Sequence, residues 1–129
     1  MSADEVVRLT MPASPEYVRL ARITVAGLAS RLGFSWDEIE DLRLAIDELC
    51  FAIVGSEAVP GSLSLRYRMS GEVLEVGGTL DDAPTGRSPT FSDWSGRILT
   101  ALVDDHGTDS DGPVPTGAWF RKTRLVRTD

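Results

Sequence analysis

The chain has 129 residues, 42% of them hydrophobic and 26% charged, so it can bury a core of its own and is too apolar for a disordered protein. We therefore expect one domain over residues 1–129. Its 20 acidic and 13 basic residues give a net charge of −7, which argues against direct binding to the phosphates of DNA or RNA. No apolar run approaches the roughly 20 residues that cross a bilayer, and the acidic start is unlike a signal peptide. The sequence predicts a cytoplasmic protein with no membrane partner.

The first two elements follow from alternation and helical spacing. Apolar residues alternate with polar ones over residues 5–12, which predicts a strand. Ser14 and Pro15 suit the cap and first position of a helix, which we expect to run to about residue 32. Its apolar stripe consists of Val18, Ala21, Val25, Leu28, Ala29 and Leu32.

A second helix is predicted over about residues 36–54. Ser35 and Glu38 have the spacing of a capping box, in which each residue satisfies a backbone amide of the other. The lone Cys50 lies on the apolar stripe, so we expect a buried, inert thiol. The whole stripe consists of Ile39, Leu42, Ile46, Leu49, Cys50 and Ile53.

The second half of the chain predicts a hairpin, a polar loop, a helix, a further loop and a last strand. These elements fall at residues 63–76, 77–90, 92–105, 104–115 and 118–126. Because the strands group in hairpins, we expect an α/β two-layer sandwich. Its sheet would be mixed, mainly antiparallel, and covered on one face by helices.

Two sets of side chains invite a functional interpretation. Large aromatic residues dominate cores and interfaces, so Trp36, Trp94 and Trp119 are predicted to be anchors in one or the other. His106 lies in an acidic loop, but the spacing fits neither an EF-hand nor a zinc site, so we predict no metal there.

Two segments carry a resemblance to a known family. LARITVAG at residues 20–27 and IEDLRLAIDELC at residues 39–50 resemble the anti-sigma factor serine kinases of bacterial stress and sporulation switches. Those proteins belong to the superfamily of histidine kinase-like and Hsp90-like ATPases. The resemblance covers residues 5–105 in element order and implies the histidine kinase-like ATPase fold.

The resemblance also implies a nucleotide site on the second helix. The family carries Glu-x-x-x-Asn there, with the carboxylate as general base and the amide on the Mg²⁺ that bridges the phosphates of ATP. Glu48 falls on the acid, whereas Ala52 falls on the asparagine and offers no oxygen to a hard cation. Glu48 is thus a candidate relict base, and binding of ATP and Mg²⁺ is in doubt.

Two further family motifs are also altered. The family's Asp-x-Gly-x-Gly box corresponds to residues 81–86, where Asp81, Asp82 and Gly86 remain as candidate nucleotide-binding residues and other glycines are replaced. The glycine-rich lid corresponds to residues 92–97, where Gly96 is the remaining glycine. These losses favour a protein in which kinase chemistry is weak or lost.

The family's partners complete the expectation. The resemblance implies an anti-sigma factor that sequesters an alternative sigma factor, is countered by an anti-anti-sigma (STAS-type) protein, and forms a homodimer. Arg19 and Arg22 on the first helix are candidate partner-binding residues, with plain solvent-facing arginines as the alternative. Two other functions stay open: an active ATP-dependent kinase of a serine on the anti-anti-sigma protein, and a stand-alone binding domain with another partner.

Overall fold

A computed structural model describes residues 4–82, 89–110 and 115–125. Within these ranges five strands and three helices follow one another, with a 3₁₀ turn at Pro15–Tyr17 before the first helix. In chain order they are Glu5–Pro12 (β1), Val18–Leu32 (α1), Trp36–Val54 (α2), Ser62–Ser70 (β2), Val73–Asp81 (β3), Asp93–Leu102 (α3), Asp105–Ser110 (β4) and Pro115–Thr123 (β5).

The strands form one sheet in the order β1-β2-β3-β5-β4, and each of its described pairings is antiparallel. Side chains alternate between a buried face and an open one, as along β2, where Leu63, Leu65, Tyr67 and Met69 are buried. The helices cover the buried face. The predicted two-layer α/β sandwich is therefore confirmed, with an antiparallel sheet.

The start predicted for the first helix at Pro15 is wrong: the Ser14 side chain makes no capping hydrogen bond, Pro15–Tyr17 form a 3₁₀ turn, and α1 begins at Val18. The end of α1 and both ends of α2 lie where the sequence predicts them. Gly33 ends α1 at a φ of 87°, a left-handed conformation that glycine adopts without steric cost. The Ser35 hydroxyl accepts from the Glu38 amide at 3.2 Å, while the Glu38 carboxylate accepts from the Ser35 amide at 2.8 Å. The capping box predicted for α2 is thus confirmed.

The core lies between α1, α2 and the sheet. The predicted stripe of α2 is buried apart from Ile39, which packs against the core from its edge. The Tyr67 hydroxyl donates to the Ala21 carbonyl at 3.0 Å, so a strand is tied to α1 through the core. Burial raises the pKa of the Cys50 thiol to about 12, which agrees with the predicted inert cysteine.

The structure corrects several boundaries in the second half of the chain. Residues 77–81, predicted as loop, continue β3, because pairing with both β2 and β5 outweighs the low strand preference of Gly77 and Gly78. The helix predicted over residues 92–105 ends at Leu102. Residues 105–110, also predicted as loop, form β4, and the last strand begins three residues earlier than expected.

The segment that follows β5 is bonded to the start of α2. The Glu38 carboxylate, only 5% exposed, also accepts from the Leu125 amide at 2.9 Å. Burial would raise the pKa of Glu38, but hydrogen bonds from Ser35 and Leu125 and the charge of Lys122 outweigh it and lower the pKa. Lys122 also donates to the Leu102 carbonyl at 2.6 Å, so β5 is joined to the end of α3 as well.

None of the three tryptophans is buried in the core. Trp36 and Trp94 are 74% and 70% exposed, and Trp119 is partly exposed on the open face of the sheet. The prediction of core anchors is therefore wrong for Trp36 and Trp94, since both occupy the first turn of a helix and point to solvent. A role as interface anchors stays a prediction. No helix in the described part of the chain has the length and apolar character of a membrane span.

Candidate functional site

Glu48 and Ala52 lie one turn apart on α2, so they share a face of that helix. Both are half-buried, which places them beside the core without enclosing them. The neighbouring element is α3, whose first turn packs against this part of α2. The side chains of α3 therefore determine the hydrogen bonds that Glu48 can form.

The first turn of α3 holds Glu48 directly. Ser92 caps the helix, its hydroxyl accepting from the Ser95 amide at 3.1 Å. The Ser95 hydroxyl donates to Glu48 Oε1 at 2.7 Å, and Ser95 is only 4% exposed. The carboxylate therefore lies at the end of α3 where the helix dipole favours a negative charge.

These residues do not fit a magnesium nucleotide. Ala52 offers a methyl group where a hard cation needs oxygen, and Glu48 is already an acceptor for Ser95. Within residues 4–82, 89–110 and 115–125, no three His, Cys, Asp or Glu side chains come together to hold a metal ion. We derive no chemical step through Mg²⁺ here.

The candidate aspartates lie elsewhere. In the alternation of β3, Asp81 points to the open face of the sheet, away from the helices, where it accepts from the Ser64 hydroxyl at 2.7 Å. Asp82 follows with a φ of 58° and is exposed. Gly86 lies outside the described residues. The structure thus does not bring Asp81 to Glu48, and a nucleotide-binding role for these residues stays a prediction.

Gly96 lines a cleft of about 600 Å³ between α3 and β4. A Cβ at Gly96 would meet the His106 ring nitrogen Nε2 at 4.0 Å, and the His106 ring packs edge-on against Phe91, with centroids 5.4 Å apart. Glu48 is not part of this cleft, so the candidate residues Glu48 on α2 and Gly96 on α3 face different spaces.

Arg22 lies in a groove between α1 and α2, which we call the α1–α2 groove. Its lining consists of Arg19, Arg22, Ile23, Glu40, Arg43, Leu44 and Asp47. Arg22 Nε is 3.2 Å from Asp47 Oδ1, but this buried N–H makes no hydrogen bond to any described residue. Burial raises the pKa of Asp47 although Arg22 opposes it, and the nearby Glu48 adds to the rise. The ion pair thus leaves hydrogen-bonding capacity unused.

Apolar side chains border the same groove. Ile23 and Leu44 are 56% and 52% exposed, and Leu20 and Phe51 are also exposed on the outer faces of the two helices. Arg19 is exposed at one end of the groove. Charged groups surrounded by accessible apolar side chains are the composition of a protein-binding surface. The structure therefore brings both candidate partner-binding arginines together with apolar contacts.

Two residues of this region were missed from sequence. Ser95 was considered only as part of an altered lid, although Ser92 and Ser95 have the spacing of a helix cap, which would have placed Ser95 in the first turn of α3. Asp47 is the second missed residue, since it pairs with Arg22. Its spacing to Arg22 crosses two helices and gave no local signal.

Comparison with known proteins finds relatives of the kind that the sequence motifs resemble. No protein-family profile matches the chain. Among curated proteins it is similar to the serine-protein kinase RsbW of Bacillus subtilis, with 41% identity over 73 residues, covering 54% of this chain and 46% of that one. It is 46% identical over 78 residues to RsbW of Bacillus cereus, covering 59% and 49%, and 34% identical over 87 residues to RsbW of Bacillus pumilus, covering 60% and 54%. The chain spans about half the length of these relatives.

A solved structure extends the likeness to the whole fold. The chain resembles the crystal structure of the RsbU and RsbW domains of Rv1364c from Mycobacterium tuberculosis, with a TM-score of 0.64 and 18% identity. The match covers 95% of this chain and 35% of that one. At this identity the likeness concerns the fold alone. The sequence similarity to the Bacillus serine-protein kinases agrees with the resemblance to anti-sigma factor serine kinases, over about half of the length of those relatives.

Proposed function

We propose that this protein is an anti-sigma factor that acts by stoichiometric capture, with kinase chemistry weak or lost. The observation that carries the proposal is the hydrogen bond from Ser95 to Glu48 beside Ala52. The hydrogen bond ties one oxygen of the family's acid to α3, and the family's cation ligand is replaced by the methyl group of Ala52. Of the features that the family resemblance implies, the one retained in this proposal is a surface that binds a protein partner.

The surface proposed for capture is the α1–α2 groove. The partner would be an alternative sigma factor, and an anti-anti-sigma protein of the STAS type would release it by competing for an overlapping surface. The exposed part of the Arg22 guanidinium would donate to the partner, and Ile23 and Leu44 would provide apolar contact. As the family resemblance implies, we expect the protein to act as a homodimer.

An active serine kinase is the second candidate, because the Bacillus relatives carry that name. Calorimetric titration with Mg·ATP, followed by transfer of labelled phosphate to an anti-anti-sigma protein, separates the two functions. Capture predicts little or no transfer, and it predicts unchanged sigma binding in Ala52→Asn, which restores the missing amide. Transfer by the unaltered chain to a partner serine would establish the kinase instead.

The groove is tested by sigma binding in purified components. Arg22→Ala and Ile23→Asp should each weaken binding by about tenfold or more, since central contacts dominate such interfaces. Arg31→Ala is the matched control, because Arg31 lies on the same helix in an exposed pair with Glu5, 3.4 Å away. Equal binding by Arg22→Ala, Ile23→Asp and the control would reject the groove as the capture surface.

A further inference from the structure

The open face of the sheet carries two arginines directly opposite each other. Arg8 on β1 is the register partner of Arg66 on β2, and Arg66 is in turn opposite Gly77 on β3. Both arginines are exposed, and both are on the face that the helices leave uncovered. Like charges at directly opposed positions destabilise a sheet, so the presence of two arginines here suggests that they serve a function other than stability.

Neighbouring arginines on the same face are compensated, whereas this pair is not. Arg68 Nε is 3.1 Å from Asp4, and Arg121 Nη2 is 3.1 Å from Asp105. Neither Arg8 nor Arg66 forms an ion pair with any acid in the described ranges. In a chain with 20 acidic residues, two adjacent uncompensated guanidinium groups define a local positive site.

The sheet is hollow beside these arginines. Gly77 has no side chain, so the surface of the sheet is open at its position, and this position is the floor of a pocket. The Arg66 side chain lies beside it, with Nη2 3.6 Å from the place where a Cβ of residue 77 would be. The Trp119 ring packs over Gly107 on the far side, with ring atoms 3.2 and 3.3 Å from that glycine's Cβ position, and so leaves the floor open. The result is a pocket of about 290 Å³, lined by the side chains of Arg8, Thr10, Ser64, Arg66 and Thr79 and by Gly77.

The two ends of the pocket differ in charge, because its hydroxyl groups lie at the end near Asp81. Ser64 donates to Asp81 at 2.7 Å, Thr79 lies 3.4 Å from the same carboxylate, and the Thr10 hydroxyl is 3.2 Å from that of Ser64. The hydroxyl groups of Ser64 and Thr79 therefore already contact the Asp81 carboxylate, which makes one end of the pocket negative. A ligand anion is repelled from that end and attracted to the other, where Arg8 and Arg66 stand.

We propose that this pocket binds the oxyanion of a small molecule, a phosphate or a carboxylate group, held between Arg8 and Arg66. A guanidinium presents a planar fork of donors that matches both groups, and two forks on one anion also remove the repulsion between them. A pocket of about 290 Å³ is near the lower limit for small-molecule sites, which suits a compact ligand. This site is on the opposite face of the sheet from Glu48 and does not depend on sigma capture.

The test is titration of the full chain with inorganic phosphate and, separately, with glutarate, against sodium chloride at equal ionic strength. Backbone amide NMR shifts should saturate at residues 77–79, and the anion that saturates identifies the ligand class. Arg66→Gln and Arg8→Gln should each weaken binding about tenfold, the worth of a charge-assisted hydrogen bond. Arg68→Gln, the compensated arginine on the same strand and face, should leave the affinity unchanged.

A second variant tests the cavity itself. Gly77→Ala places a methyl group on the floor, where the nearest atom is 3.6 Å away, so the fold should be unaffected and binding weakened. Absence of saturation by either anion up to about 10 mM would overturn the proposal. Equal affinity in Arg66→Gln, Arg68→Gln and the unaltered chain would overturn it too, since binding would then not involve the opposed pair.

Discussion

Ser95 and Glu48 join α3 to α2 through one hydrogen bond of 2.7 Å, made at the position where the family's catalytic acid is expected. The bond satisfies a half-buried carboxylate with a nearly buried hydroxyl. It therefore links two helices through the residue that the family resemblance marks as a candidate base. This relation can be tested by stability as well as by chemistry.

Ser95→Ala should lower the free energy of unfolding by about 1 kcal/mol, because it removes the donor and leaves the carboxylate with one partner fewer. Urea denaturation measures the change, and a double-mutant cycle with Glu48→Gln isolates the bond. Thr100→Ala is the control, since that exposed hydroxyl bonds only to the Gly96 carbonyl within α3. A coupling energy of zero would show that the bond does not join the helices in solution.

Glu38→Gln should cost about 2 kcal/mol at pH 7, because the charged carboxylate accepts from two backbone amides. The folded pKa of Glu38 is lowered from its ordinary value of 4.5, so its contribution is complete above that pH. It should be lost as the pH falls below 4.5 through the lower folded pKa. Urea titrations at several pH values measure this as a shrinking gap between Glu38→Gln and the unaltered protein.

Glu40→Gln is the control for the pH effect, since Glu40 is on the same helix in an exposed pair with Arg43, 3.1 Å away. It should change stability by less than about 0.5 kcal/mol at each pH. A gap for Glu38→Gln that stays constant from neutral to acid pH would contradict the assignment of a charged, hydrogen-bonded Glu38.

Gly78→Ala should lower the free energy of unfolding by about 1 to 3 kcal/mol, because overpacking forces a well-filled core to shift. Its Cβ would lie 2.6 Å from Ile53 Cδ1 and 2.9 Å from Leu65 Cδ2. Gly77→Ala, one residue earlier and on the open face, is the matched control and should be nearly neutral. Thermal unfolding of the two variants compares them, and similar losses would mean that α2 does not pack on β3 as closely as described.

Cys50 should not react with a thiol reagent in the native state, since its side chain is 1% exposed and burial raises its pKa to about 12. Labelling should proceed only through unfolding, and its rate should rise with urea in parallel with the unfolded fraction. Rapid labelling under native conditions would indicate that α2 opens locally away from the core.

The sequence was sufficient where a pattern is local. The stripes of α1 and α2, the Ser35 and Glu38 capping box and the β2–β3 hairpin all depend on spacing within a few residues, and the structure contains each of them. The predicted end of the hairpin is wrong, since β3 continues to Asp81. The fold class follows from the grouping of those elements. Long amphipathic helices carry the strongest such signal.

The sequence was insufficient where structure depends on distant partners. The polar residues of β4 show no alternation and form a strand only because β5 pairs with them, and Gly77 and Gly78 are strand residues because two neighbours hold them. The contact between Ser95 and Glu48 joins residues 47 positions apart. The opposition of Arg8 and Arg66 likewise became visible only once the register was known.

The strand order has a consequence for synthesis of the protein. β5 is made after β4, yet it lies between β3 and β4, and it is the described strand with which β4 pairs. Until residue 123 has left the ribosome, one edge of β3 stays unpaired and β4 has no neighbour to hydrogen-bond. A nascent chain therefore exposes an incomplete sheet to chaperones and to aggregation until its last strand inserts.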